Sequence, residues 1–202
     1  MGHEMHLVEG FILDSNQYGE SGRILKILTK DFGIVSVAAT GVRELKSKMR
    51  GSMDVLQLVD FEFVEGRELN RLTGIHEKKK YAEILFSNNI DVLKKRRVVS
   101  NIVNFVLRSV VGETKNERLW ESFLEGFDYL SGKSTEEQTD PMIYAPDIVE
   151  ILWLIKILIS LGYWESGKLE GFTRENFQEL EDEGRKTKIV LEINQAIKST
   201  HL

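Results

Sequence analysis

The sequence predicts an α+β chain: a five-stranded barrel followed by an all-helical region. Over the first 80 residues, apolar side chains recur with a period of two between glycine-bearing turns. From about Tyr81 they recur at helical spacing instead. The chain has 202 residues, of which 42% are hydrophobic and 29% charged, which suits two small domains, residues 1–80 and 81–202.

The strands are expected in order. Leu7–Leu13 is the first, with Val8, Phe11 and Ile12 supplying β propensity, and Asn16–Gly22 is a turn. Arg23–Thr29 alternates, with Leu25 and Ile27 on one face and Lys26 on the other. Asp31-Phe32-Gly33 makes a tight turn, because Gly33 can take the positive φ a short hairpin needs. Ile34–Ala39, Val55–Val64 and Leu69–Ile75 complete five short strands, a number that closes into a small barrel. The helical part reads as Asp91–Val111, then a helix capped by Asn116 and running to Leu130, with Trp120, Phe123, Phe127 and Leu130 on one face. Asp147–Gly162 is nearly all apolar, as expected of a helix enclosed by others, and the two prolines, Pro141 and Pro146, stand near its start. Two shorter helices follow, Arg174–Glu183 and Lys186–Ser199.

Composition excludes several chemistries. Without cysteine there are no disulfides, thiolate zinc sites or cysteine nucleophiles, in keeping with a reducing compartment. MGHEMHLVEG lacks a signal-peptide pattern, and Met5 is an alternative start. The longest apolar run, Ile148–Trp164, contains Glu150 and Lys156 and is shorter than the ~20 residues of a membrane span, so no membrane association is expected. Gly126–Ser134 (GFDYLSGKS) has five residues before its Gly-Lys pair where a phosphate loop has four, and it follows a helix. His3, His6, His76 and His201 lack metal-ligand spacing, the acidic run Glu179–Glu183 reads as a solvated helix face, and no nucleophile set is present. Neither an enzyme nor a bound cofactor is expected.

Charge is unevenly spread. Residues 1–80 carry 12 basic and 12 acidic residues, and residues 81–202 carry the whole net charge of −5. Such a field repels nucleic acid at long range, so any binding must rest on local, salt-sensitive patches. The strongest is the loop after the third strand, where Arg43, Lys46, Lys48 and Arg50 are opposed only by Glu44. Loops of a small barrel edge the groove that holds single strands. Arg23 is a further phosphate-contact candidate, with Tyr18 as a base-stacking one; Phe32 is either a stacking residue or packed in the core or turn. Lys78–Lys80 and Lys94-Lys95-Arg96-Arg97 flank the junction between the halves; the second run is a candidate contact from the helical domain.

These residues resemble the RecO family of bacterial recombination mediators. The resemblance is carried by Gly10-Phe11-Ile12-Leu13, Tyr18-Gly19-Glu20, Arg23-Ile24-Leu25, Gly41-Val42-Arg43, Lys46-Ser47-Lys48 and Arg50-Gly51. Phe61-Glu62-Phe63 and, more loosely, Trp153–Tyr163 with its Gly-Tyr ending extend it. It implies an N-terminal OB-fold and a helical C-terminal domain. It also implies binding to single- and double-stranded DNA, annealing of complementary strands, and loading of RecA together with RecR on DNA coated by single-stranded-DNA-binding protein. The location implied is cytoplasmic and nucleoid-associated. The sequence does not assign the pocket for the tail of the coating protein; an apolar groove rimmed by basic residues in the helical domain is the place to look.

The chain departs from the family pattern in three places. The four-cysteine zinc module that many relatives carry after Gly-Tyr is missing, with Lys168–Arg185 in its place. Thr40 stands where a basic residue is frequent, and Glu44 enters the basic loop, so weaker DNA binding by the barrel is implied. The rival reading is a protein-interaction module with little DNA affinity. A nuclease-like enzyme is a second rival, lacking any visible metal or acid/base set.

Overall fold

The computed structural model describes residues 4–40, 52–81, 90–110, 112, 114–131 and 145–199. The chain divides into two compact units, Met1–Glu83 with Val110–Glu117, and Ile84–Ser109 with Arg118–Leu202.

The first unit is a closed five-stranded barrel in the order β1-β2-β3-β5-β4, the α+β arrangement expected from the alternating pattern. Its strands are β1 (Met5–Tyr18), β2 (Gly22–Thr29), β3 (Gly33–Ala39), β4 (Gln57–Val64) and β5 (Asn70–Lys80). β1 pairs antiparallel with β2 from Gly10 to Tyr18 and with β4 from Met5 to Phe11, so one long strand serves both sides. A bulge between Ile12 and Asp14 lets it bend. A short parallel contact, Val37↔Asn70 and Ala38↔Arg71, closes the barrel. Its core comes from the inward positions of all five strands, including Val8, Ile12, Leu25, Ile27, Val35, Val37, Val59, Phe61 and Ile75.

Two strands outrun their expected ends. β1 continues through Asn16 to Tyr18, so the turn shrinks to Gly19–Ser21, with Gly19 at φ +61°. β5 continues through Lys78–Lys80, which are strand residues at the edge of the junction they flank. Both extensions are ladder-paired but polar, so they carry no apolar alternation to betray them. Gly33 does take a positive φ, +69°. A Cβ there would lie 2.6 Å from Thr114 O, because the segment after α1 returns to the β2–β3 turn. Lys115–Asp31 (3.2 Å) and Lys30–Glu117 (3.7 Å) pair at the same place. Phe32 packs on this core beside His6 and Phe63 (5.2 and 6.0 Å between ring centroids), the core-packing alternative to base stacking at this position. His6 stacks on Phe63 and contacts Glu65 Oε1 at 3.2 Å, a structural role.

The second unit holds α1 (Ile90–Ser109), α2 (Glu117–Leu130), α3 (Pro146–Ser160), α4 (Arg174–Glu181) and α5 (Glu183–Ser199). α3 buries Ile148, Val149, Ile151, Leu152, Trp153, Ile155, Ile157 and Leu158, as its composition requires. It ends in a Schellman motif. Gly162 (φ +80°) donates its N–H to Ile159 O, and Tyr163 donates to Leu158 O at 2.8 Å, which explains the Gly-Tyr pair physically. The following segment is held by Tyr129, which stacks on both Phe172 (4.7 Å) and Phe177 (5.5 Å). Burial pushes the Tyr129 hydroxyl up to about 12. Thr173 caps α4 by accepting from Asn176 N–H. The acidic run Glu179–Glu183 is not one helix face. Asp182 stops α4 and accepts from Arg185 N–H at 2.7 Å, which starts α5.

Candidate nucleic-acid interface

The barrel end that bears the basic loop is built from the β1–β2 hairpin and the end of β3. Tyr18 pairs with Gly22 across the hairpin, and Arg23 pairs with Ala39, one residue before β3 runs out at Thr40. The chain is described again from Ser52, where Met53 is fully buried in the barrel core. Arg23 stands against this re-entry. Its Nη1 lies 3.4 Å from Ser15 Oγ, 3.5 Å from Met53 O and 3.5 Å from Asp54 Oδ1. Leu56, at φ +65°, then ties the chain down by donating to Ile12 O at the β1 bulge and accepting from Tyr81 N–H. Both flanks of the basic loop are thus rooted next to Arg23. Arg43, Lys46, Lys48 and Arg50 themselves lie outside the described residues, as does Glu44.

Tyr18 and Arg23 both stand at this end, where the register pairs Tyr18 with Gly22 and Arg23 with Gln17. Tyr18 is 48% exposed, an unusual state for a large aromatic ring and the one a stacking platform requires. Arg23 keeps 40% of its side chain exposed, and a guanidinium has five N–H donors, so pairing with Asp54 leaves donors for a phosphate.

Two cations at the end of β5 are committed to carboxylates, and a third lies over a ring. Lys78 donates to Glu9 at 2.6 Å and lies 3.5 Å from Asp60; the hydrogen bond to Glu9, with both negative charges, holds its ammonium above the usual lysine range. Lys80 pairs with Glu77 at 3.0 Å, and Lys79 lies 4.4 Å from the Tyr81 ring centroid. A hollow of about 320 Å³ beside the β3–β5 closure is lined by Ser36, Glu65, Glu68 and Asn70, and its acidic lining does not suit phosphate.

In the helical unit, Lys94–Arg97 occupies four successive positions of α1. At 100° per residue these fan around the helix and cannot form one patch. Lys94 is exposed, Lys95 and Arg96 are half-buried, and Arg97 pairs with Asp147 at 2.5 Å and Glu150 at 3.8 Å on α3. Asn101 Nδ2 donates to Glu150 at 2.7 Å. Arg97 therefore clamps α1 to α3. The signal for this was in the sequence, as two carboxylates three residues apart at the start of an otherwise apolar helix.

Among the described residues, no group of three or more His, Cys, Asp or Glu side chains is arranged to hold a metal ion. Among them also, no helix is long and apolar enough to cross a membrane.

Residues 4–79, the barrel strands with the loop they carry, match the family model of the recombination protein O N-terminal domain. The chain is similar to DNA repair protein RecO of Rubrobacter xylanophilus, at 29% identity over 60% of this chain and 46% of the relative. The corresponding protein of Trichodesmium erythraeum is 27% identical over 65% of this chain and 45% of its own length. A longer match, to that of Mesoplasma florum, covers 80% of this chain and 56% of the relative at 24% identity. The chain thus spans about half the length of the curated relatives it matches.

Proposed function

We propose that the chain belongs to the RecO family, whose N-terminal domain model residues 4–79 match, and that it serves DNA repair and recombination by binding single- and double-stranded DNA and annealing complementary strands. The observation that carries this reading is the family match over residues 4–79, which covers the barrel and its basic loop together. Arg43, Lys46, Lys48, Arg50 and Arg23 contact phosphates, and Tyr18 supplies a face for an unstacked base. Neutralising the phosphates of two strands lowers their mutual repulsion, so complementary bases meet without sequence preference. This work is binding and not turnover, and no cofactor enters it.

The helical domain contributes through Lys94, with Lys95 and Arg96 beside it. Arg97 contributes less, since contact with phosphate would have to compete with Asp147 and Glu150. In the same reading the protein acts in the cytoplasm at the nucleoid, on DNA coated by single-stranded-DNA-binding protein, and with RecR it assists the loading of RecA. Strand annealing of complementary oligonucleotides, with and without the coating protein, tests this. Acceleration by the chain is expected in both cases; no acceleration over spontaneous annealing refutes it.

A second reading is favoured by one observation: Arg23, Lys78, Lys80 and Arg97 all face carboxylates. On that reading the barrel docks a protein and holds DNA poorly. A low-salt mobility shift with single-stranded DNA separates the two.

A further inference from the structure

Between α2, α3 and the segment after α3, the helical unit forms a cavity of about 300 Å³. It is not an apolar groove rimmed by bases, and nothing in the DNA-binding reading uses it. Its lining includes Arg118, Glu121, Ser122 and Glu125 of α2, Lys156 of α3 and Glu170 of the following segment.

Two features of the lining point to a ligand. Ser122 is only 7% exposed, and its hydroxyl has no hydrogen-bond partner among the described residues although it lines the cavity. That hydroxyl lines the cavity, where a donor or acceptor entering from outside can meet it. The second feature is the charge. Lys156, with 16% of its side chain exposed, is neutralised by its ion pair with Glu125 and lies 5.6 Å from the Phe172 ring centroid. Glu121 has no partner among the described residues, and Glu170 spends one carboxylate oxygen on Gly167 N–H at 3.1 Å. Arg118 is the only remaining cation of the lining, so two carboxylates outweigh it.

From this lining we propose that the cavity receives the guanidinium or ammonium head of a cation of arginine or lysine size. The head would pair with Glu121 and Glu170 and donate to Ser122 Oγ, while its alkyl stem lies along the rim. A volume of about 300 Å³ is at the lower end for ligand sites and fits one such head group. The cation could be free or borne by a partner protein's side chain, and the test separates these sources.

The test is titration of the full chain by nuclear magnetic resonance with agmatine, a free cation, and N-acetyl-arginine amide, a peptide-borne one. Saturable shifts of α2 and α3 amides at millimolar concentration are expected for at least one probe. If agmatine alone binds, the ligand is a free small molecule; if the amide binds as well, it is a protein side chain. Glu121→Gln with Glu170→Gln, both exposed positions that tolerate the change, should weaken binding about tenfold. Ser122→Ala should weaken it severalfold. No saturable shift with either probe overturns the proposal, as does unchanged affinity in the glutamine variant. Were Ser122→Ala to misfold, the glutamine variant alone would decide.

Discussion

Gly126→Ala is expected to destabilise the helical unit by about 3 kcal/mol or more, lowering its unfolding temperature by roughly 10–15 °C. Alanine is the better helix former by about 1 kcal/mol, so at an exposed site the same change would stabilise. Space reverses the sign. Gly126 lies on the buried stripe of α2 with Phe123, Phe127 and Leu130, and the indole of Trp153 rests directly on its backbone. A Cβ would stand 2.0 Å from Cε2 and 2.2 Å from Cδ2 of that ring. Trp153 is fully buried and held by Phe127 (5.0 Å, edge to face) and Phe123 (6.0 Å), so it cannot swing away. All three tryptophans, Trp120, Trp153 and Trp164, belong to this unit, so urea unfolding followed by their fluorescence reads it selectively. In a Trp153→Leu background the added cost of Gly126→Ala should largely vanish, which a double-mutant cycle would show. A neutral or stabilising Gly126→Ala contradicts this packing.

The second large effect is expected in the barrel, where Gly10→Ala should cost about 2–3 kcal/mol. Gly10 pairs with Thr29 of β2 and Val59 of β4 at the place where β1 is shared by both sides of the closure. Its inward neighbours along the strand, Val8 and Ile12, fill the core, but at Gly10 that space is taken by others. A Cβ would meet Ile27 Cγ2 at 2.4 Å and Phe61 Cε1 at 2.8 Å. Tryptophan fluorescence is blind to this unit, so amide hydrogen exchange of β1, β2 and β4 is the measurement. Exchange faster by roughly 30-fold or more in those strands is expected, from 1.4 kcal/mol per tenfold. Unchanged protection would mean that the barrel has room there.

Much of this architecture was legible because burial enforces periodicity. The inward residues Leu25, Ile27, Val35, Val37, Phe61 and Phe63 alternate because one face of each strand fills a closed barrel, and the stripe on α2 recurs for the same reason. Where burial does not govern, the pattern is silent. Lys79 and Lys80 are ladder residues, Lys78 sits at a register shift and is held by ion pairs, and no apolar period marks them. Positive φ falls on Leu56 and Leu169, both buried leucines, where no glycine stands at the position itself. The site was less legible than the fold. Counting charges finds Arg23 and Lys94–Arg97, but only geometry shows that Asp54 meets Arg23 and that Asp147 and Glu150 meet Arg97. Net charge along a sequence says little about which cations remain available to a phosphate.

The most direct test of DNA binding through the barrel loop is the salt dependence of single-stranded DNA affinity. It should be measured for the chain and for a variant carrying Arg43→Ala, Lys46→Ala, Lys48→Ala and Arg50→Ala. At ~0.7 per phosphate contact on single strands, the four residues contribute a slope of roughly −3 in log affinity against log salt. The expected result is a variant, folded by circular dichroism, whose slope is shallower by about that amount and whose annealing is slowed. A folded variant with an unchanged slope would contradict it and move DNA binding away from the barrel.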